Sequence, residues 1–162
     1  MSLKVYFDMD GTLADLYNSD NWEYKLRNEI PDAYRYLPFL PEIDMMKFQN
    51  YVQKLLEKGV QFGVISWLSM QSSPEYEEIV RQEKLDWIYE NIPFVSEISI
   101  VSYGVPKQNA IIKRAQTMIL IDDNVEVCKT WQTAKQRMSI NVTRDWTVAD
   151  ALEEIYTRYC AE

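Results

Sequence analysis

A chain of 162 residues, 47% hydrophobic and 26% charged, has ordinary globular composition and is long enough for a single domain that buries roughly 70% of its unfolded surface. A net charge of −8 argues against gripping a polynucleotide, which calls for a basic face. The sequence has no histidine, which excludes Ser-His and Cys-His nucleophiles and most zinc sites and leaves hydrolysis to carboxylates, lysines, hydroxyls and a hard cation.

The first predicted element is a short apolar strand, Leu3 to Phe7, that runs into Asp8-Met9-Asp10-Gly11. The stretch from Asp15 to Ile43 is irregular and aromatic, with Tyr17, Trp22, Tyr24, Tyr34, Tyr36 and Phe39 interrupted by three prolines. It is expected to form a small insertion over the edge of the sheet, placed as a lid beside any crevice there. Asp44 is suited to cap a helix with Phe48, Val52, Leu55 and Leu56 inward, stopped by Gly59. Strand two is expected over Gly59 to Ile65, ending at Ser66, with Trp67 next. Ser73-Pro74, followed by Glu75, Glu77 and Glu78, opens a helix.

Strand three spans Glu97 to Ser102, and a shorter helix is expected over Lys107 to Ala115. Thr117 to Ile121 is a fourth strand that runs into Asp122-Asp123. Asn124 to Ala134 reads as a helix with Val127, Cys128 and Trp131 inward, and Met138 to Val142 as a weaker fifth strand. Thr147 and Asp150 form a capping box for a last helix with Val148, Leu152, Ile155 and Tyr159 on one face.

Alternating strands and helices predict an α/β fold, a parallel sheet covered on both faces. Cys128 and Cys160 are far apart, without a motif, and predict free thiols in a cytoplasmic protein. No apolar run reaches transmembrane length, and the first residues lack the pattern of a leader peptide.

Polar residues cluster where the predicted strands end, which in open α/β sheets is where ligands bind. Each has an unremarkable explanation. Asp-x-Asp-Gly suits a turn, serine often ends a strand, and Asp123 or Asn124 suits a helix cap. Two observations resist such explanations. Asp122 directly follows Met-Ile-Leu-Ile, and adjacent carboxylates beside a second acidic pair repel unless a cation joins them. Lys107, in a first helical turn, opposes the helix dipole unless an anion binds there.

Phosphoryl transfer accounts for the whole set, because it needs positioning and charge neutralisation. Asp8 serves as nucleophile and Asp10 as general acid and base. Mg²⁺ is expected on Asp8, the Asp10 carbonyl, Asp122 and Asp123. Ser66, Lys107 and the amides of the Gly11 turn are expected to hold the phosphate.

These residues resemble the four motifs of the haloacid dehalogenase (HAD) superfamily. Asp8-Met9-Asp10-Gly11-Thr12-Leu13 is similar to its first motif, Ser66 to the second, Lys107 to the third and Ile121-Asp122-Asp123 to the fourth. The resemblance implies a Rossmann-like sheet of order 5-4-1-2-3 and a magnesium-dependent phosphomonoesterase. Asp-Met-Asp-Gly and Ile-Asp-Asp-Asn are most similar to the 5′(3′)-deoxyribonucleotidase group, although the insertion is short for that group's cap and Trp67-Leu68 departs from its second motif. A small phosphorylated metabolite is the expected partner, a nucleotide in particular, with Trp67 beside the phosphate and no membrane or polynucleotide. A sugar-phosphate phosphatase, a phosphotransferase and a non-catalytic phosphate-binding domain remain as alternatives. The aromatics at 15–43 suit either a nucleobase or the packing of the insertion itself.

Overall fold

The computed structural model describes residues 2–162. Five strands form one all-parallel sheet: β1 (Leu3–Phe7), β2 (Gln61–Trp67), β3 (Glu97–Val101), β4 (Thr117–Asp122) and β5 (Arg137–Asn141), in the order β3-β2-β1-β4-β5. This is the predicted order. The central strand β1 is buried along its whole length, as a strand covered on both faces requires. The chain leaves β1 toward β2 on one side and reaches β4 on the other. A crevice therefore opens at the carboxyl ends of β1 and β4, the switch point of the topology.

Helices α1 (Trp22–Arg27), α2 (Met45–Glu57), α3 (Pro74–Asn91), α4 (Val125–Trp131) and α5 (Val148–Tyr159) complete the fold. The caps do their expected work: Asp44 accepts from Lys47 N, Ser73 from Tyr76 N, and Asp150 from Thr147 N. Helix α2 buries Phe48, Val52 and Leu55, whereas Leu56, expected inward, is exposed. Among the described residues no helix is long and apolar enough to cross a membrane.

Several boundaries differ from expectation for identifiable reasons. Gly59 adopts φ of 81° and turns the chain, so β2 starts later and runs on through Ser66 and Trp67, which pair with Ile100 and Val101. The predicted helix from Lys107 stops as a 3-10 turn at Ala110. The Glu97 carboxylate takes the amides of Ile112 and Lys113, each at 3.1 Å, and these amides are lost to any longer helix. Helix α4 ends at Trp131, whose carbonyl accepts from Arg137 Nε at the start of β5.

The stretch from 15 to 43 divides between two tasks. Tyr34 and Leu37 are buried in the main core, against which Phe39 packs. Helix α3 pins this stretch with polar contacts: Glu83 accepts from the amides of Asp32 and Tyr34, Tyr76 donates to Ile30 O, and Trp87 to Leu37 O. These contacts make it a fixed wall rather than a loosely hinged cover. Its first part, with Tyr17 and Trp22, faces the crevice.

Candidate active site

Asp8 follows β1 directly, and its amide donates to Ile121 O of β4, which ties the two strand ends together. Both of its carboxylate oxygens are held. Oδ1 accepts from Lys107 Nζ at 2.8 Å and Oδ2 from Thr12 Oγ1 at 3.0 Å. Lys107 also donates to Asp122 Oδ2 at 2.7 Å and lies 5.4 Å from the centre of the Trp67 ring. Lys107 is buried, and the conflict expected with a helix dipole does not arise: it sits in a 3-10 turn and is neutralised by two carboxylates. Burial alone would lower its pKa, but Asp8 and Asp122 raise it overall, so it stays charged.

Asp122 is the last residue of β4, and Asn124 caps α4, accepting from Glu126 N and Val127 N. This leaves Asp123 free of capping duty. Asp8, Asp122 and Asp123 each bring a carboxylate oxygen within 4.8 Å of the others. The crowding has a cost: burial, then the charge of Asp8, pushes Asp122 up to about 6, and burial with Asp8 and Asp122 pushes Asp123 up to about 8. An all-oxygen donor set that repels itself this strongly fits a hard divalent cation.

A thermal-shift experiment tests that fit. Mg²⁺ at about a hundredfold excess over its Kd is expected to stabilise the protein by ~2.7 kcal/mol, or about 5–10 °C in Tm for a chain of this size. Asp123→Asn is expected to abolish the shift while leaving the metal-free protein at least as stable at pH 7, where burial and its neighbours already favour a proton on Asp123. An undiminished Mg²⁺ shift in the variant would remove Asp123 from the ligand set.

Asp10 lies beside Asp8. Burial raises its pKa, Lys84 opposes this, and the Asp8 charge adds to it. Its Oδ2 accepts from Lys84 Nζ at 2.8 Å, while Oδ1 is buried without a partner. Gly11 has φ of 79°, and a Cβ there would come within 2.4 Å of Asp123 Oδ2 and 2.7 Å of the Tyr17 ring. Glycine is therefore needed for the turn to approach Asp123. Its amide was expected to be open to phosphate, but it donates to Ala14 O at 2.9 Å within the turn. Ser66 lies within β2, only 1% exposed, and its Oγ accepts from Lys84 at 2.8 Å.

The carboxylates open into a cleft of about 440 Å³, a size typical of small-molecule sites. Trp67 and Tyr103 form one aromatic pair on its wall, with ring centres 5.0 Å apart, and Tyr17 and Trp22 another at 5.1 Å. Trp67 is fixed by a bond from Nε1 to Val105 O at 2.8 Å. Sequence reasoning missed Lys84, Thr12 and Tyr103. The signal for Lys84 was available: Tyr76, Val80, Lys84 and Ile88 recur every fourth residue on the buried face of α3.

No family model matches this chain, and no curated protein matches it. Among solved structures, that of D,D-heptose 1,7-bisphosphate phosphatase from Burkholderia thailandensis is similar, with a TM-score of 0.51 at 9% identity, covering 98% of this chain and 100% of that one. The likeness is one of fold, and it extends over nearly the whole of both chains.

Proposed function

We propose that this protein is a Mg²⁺-dependent phosphomonoester hydrolase of the HAD type. In this reaction Asp8 is the nucleophile, Asp10 the general acid and base, and a nucleoside or deoxynucleoside monophosphate the substrate. The observation that carries the proposal is the meeting of Asp8, Asp122 and Asp123 within 4.8 Å at the switch point of the sheet, with Lys107 bonded to the first two. The fold shared with a sugar-bisphosphate phosphatase agrees with it.

Held by Asp8, Asp122, Asp123 and the Asp10 carbonyl, Mg²⁺ would draw charge from the transferring phosphoryl group. Asp8 is held at both oxygens, which aims the carboxylate at phosphorus. Lys107 holds the nucleophile by a hydrogen bond and balances the charge of the phosphate. Asp10, which lines the cleft, protonates the leaving oxygen and then takes a proton from water. The reaction is placed in the cytoplasm, which suits a chain whose two cysteines are free.

The walls of the cleft are what support the substrate reading. Two aromatic pairs flank the acidic group, and flat rings beside a phosphate site suit a nucleobase. The heptose 1,7-bisphosphate phosphatase, as its name states, acts on a molecule with two phosphates. Here Lys107 is already committed to two carboxylates, and the other cation on the cleft wall, Arg27, is exposed and paired with Glu23 at 3.4 Å. That arrangement favours a single phosphate.

The test compares kcat/KM across nucleoside monophosphates, sugar monophosphates and bisphosphates. Nucleoside monophosphates are expected to lead. Trp22→Ala and Trp67→Ala are each expected to lower their kcat/KM by roughly 5- to 100-fold, the worth of one stacking contact, and to leave small sugar phosphates far less affected. A preference for sugar phosphates, or equal losses on every substrate, would overturn the nucleotide assignment and leave the hydrolase assignment standing.

A further inference from the structure

Lys84 is a buried charge beside the reaction centre that the mechanism above leaves without a task. It is 0% exposed, on the inner face of α3. Its three ammonium hydrogens have three acceptors: Asp10 Oδ2 at 2.8 Å, Ser66 Oγ at 2.8 Å and Trp67 O at 2.7 Å. The Tyr34 ring closes the fourth side, 4.5 Å from Nζ to its centre. Burying an ammonium carries a desolvation penalty of several kcal/mol that its pairing must offset. An apolar residue packed between Val80 and Ile88 would serve the helix without that penalty. The charge therefore calls for a reason other than folding.

Asp10 supplies the reason. Its Oδ2 is fastened to Lys84 and its Oδ1 is buried without a partner, while the side chain lines the cleft and is 15% exposed. Ser66 and Trp67, both in β2, anchor the ammonium to the sheet. The carboxyl is thus held from a rigid strand and helix where it meets the cleft.

We propose that Lys84 is a positioning residue for proton transfer in this site: by fixing Oδ2 of Asp10, it holds the carboxyl in place first toward the leaving oxygen and then toward water. The inference rests on the phosphohydrolase proposal above. In the first step an Asp8 oxygen bonds to phosphorus as the bond from phosphorus to the leaving oxygen breaks, and that oxygen takes the proton from the Asp10 carboxyl. In the second, water attacks phosphorus and returns a proton to the Asp10 carboxylate, while the aspartyl-phosphate bond breaks to restore the Asp8 carboxylate and release inorganic phosphate. A mobile Asp10 would spend less time aligned for either transfer.

The experiment measures kcat/KM with Mg²⁺ for wild type, Lys84→Met and Lys84→Gln on two esters, an alkyl phosphate and p-nitrophenyl phosphate. The alkoxide needs a proton to leave, whereas the nitrophenolate leaves without one. Lys84→Met is expected to lose about 10²-fold on the alkyl phosphate, at the lower end of what general acid catalysis supplies, and less than about tenfold on the nitrophenyl ester. Lys84→Gln keeps the length and some of the donors, so it carries the same comparison if Lys84→Met fails to fold. A merely structural lysine would lower both esters alike. Equal losses, or wild-type kinetics on the alkyl phosphate, with an active wild type would overturn the role of Lys84 alone. A wild type inactive on both esters would overturn the phosphohydrolase proposal and this inference with it.

Discussion

Asp8→Asn is expected to lower turnover by at least about 10⁴-fold, the scale on which removal of a single covalent nucleophile is felt. The substitution is nearly isosteric, and the surroundings explain why so small a change has so large an effect. Asp8 offers Oδ1 to Lys107 and Oδ2 to Thr12, so both oxygens act as acceptors. An amide keeps one acceptor and must turn its NH₂ toward either the ammonium or the hydroxyl. It also lacks the charge needed to attack phosphorus. Lys107 keeps its bond to Asp122, so the fold should persist. Asp10→Asn should behave differently: proton transfer suffers by roughly 10²–10⁴-fold, and phosphorylated protein accumulates because water is no longer activated. Steady-state rates with intact-protein mass measurement separate the two variants. Near-normal turnover by Asp8→Asn would exclude it as the nucleophile.

Lys107→Ala is expected to lose at least about 10²–10³-fold in kcat, the usual effect of removing a group that stabilises charge in the transition state. The residue is 4% exposed and joins Asp8 to Asp122. Without it, the buried carboxylates of Asp8 and Asp122 and the half-buried one of Asp123 face one another, and breaking such a pairing typically costs about 3–5 kcal/mol. Mg²⁺ should therefore restore more stability to the variant than to wild type. Lys107→Arg should recover little, because the ammonium fits between two carboxylates and the Trp67 ring, where a planar fork is too wide. Kinetics and Mg²⁺-dependent unfolding of both variants provide the check. Wild-type kinetics in Lys107→Ala would reduce Lys107 to a structural residue.

Much of this arrangement was legible in the sequence, and the reasons are physical. Apolar runs bounded by turns announced all five strands, and polar residues after such runs pointed to one end of the sheet. Asp8, Asp122, Asp123 and Lys107 do meet there. Local patterns could not show effects that depend on distant partners. The helix expected from Lys107 was cut short by Glu97, a residue on another strand. The amide of Gly11 was claimed by Ala14, and the position needs glycine because Asp123 and Tyr17 crowd it. Lys84 was hidden in a helix rich in charge, where only the four-residue spacing separates an inward lysine from a solvated one. Aromatics at 15–43 looked alike in sequence, yet Leu37 and Phe39 beside them pack only the core, Tyr34 is buried in the core and touches the cleft, and Tyr17 and Trp22 pair on the cleft wall.

The most direct measurement is inorganic phosphate release from a panel of phosphomonoesters by wild type and Asp8→Asn, each with Mg²⁺ and with a chelator. Release is expected from wild type with Mg²⁺, is expected to stop with chelator and return when Mg²⁺ is restored, and should be absent from Asp8→Asn throughout. Full release in the presence of chelator, or equal release by the two proteins, would contradict a magnesium-dependent hydrolase that works through Asp8.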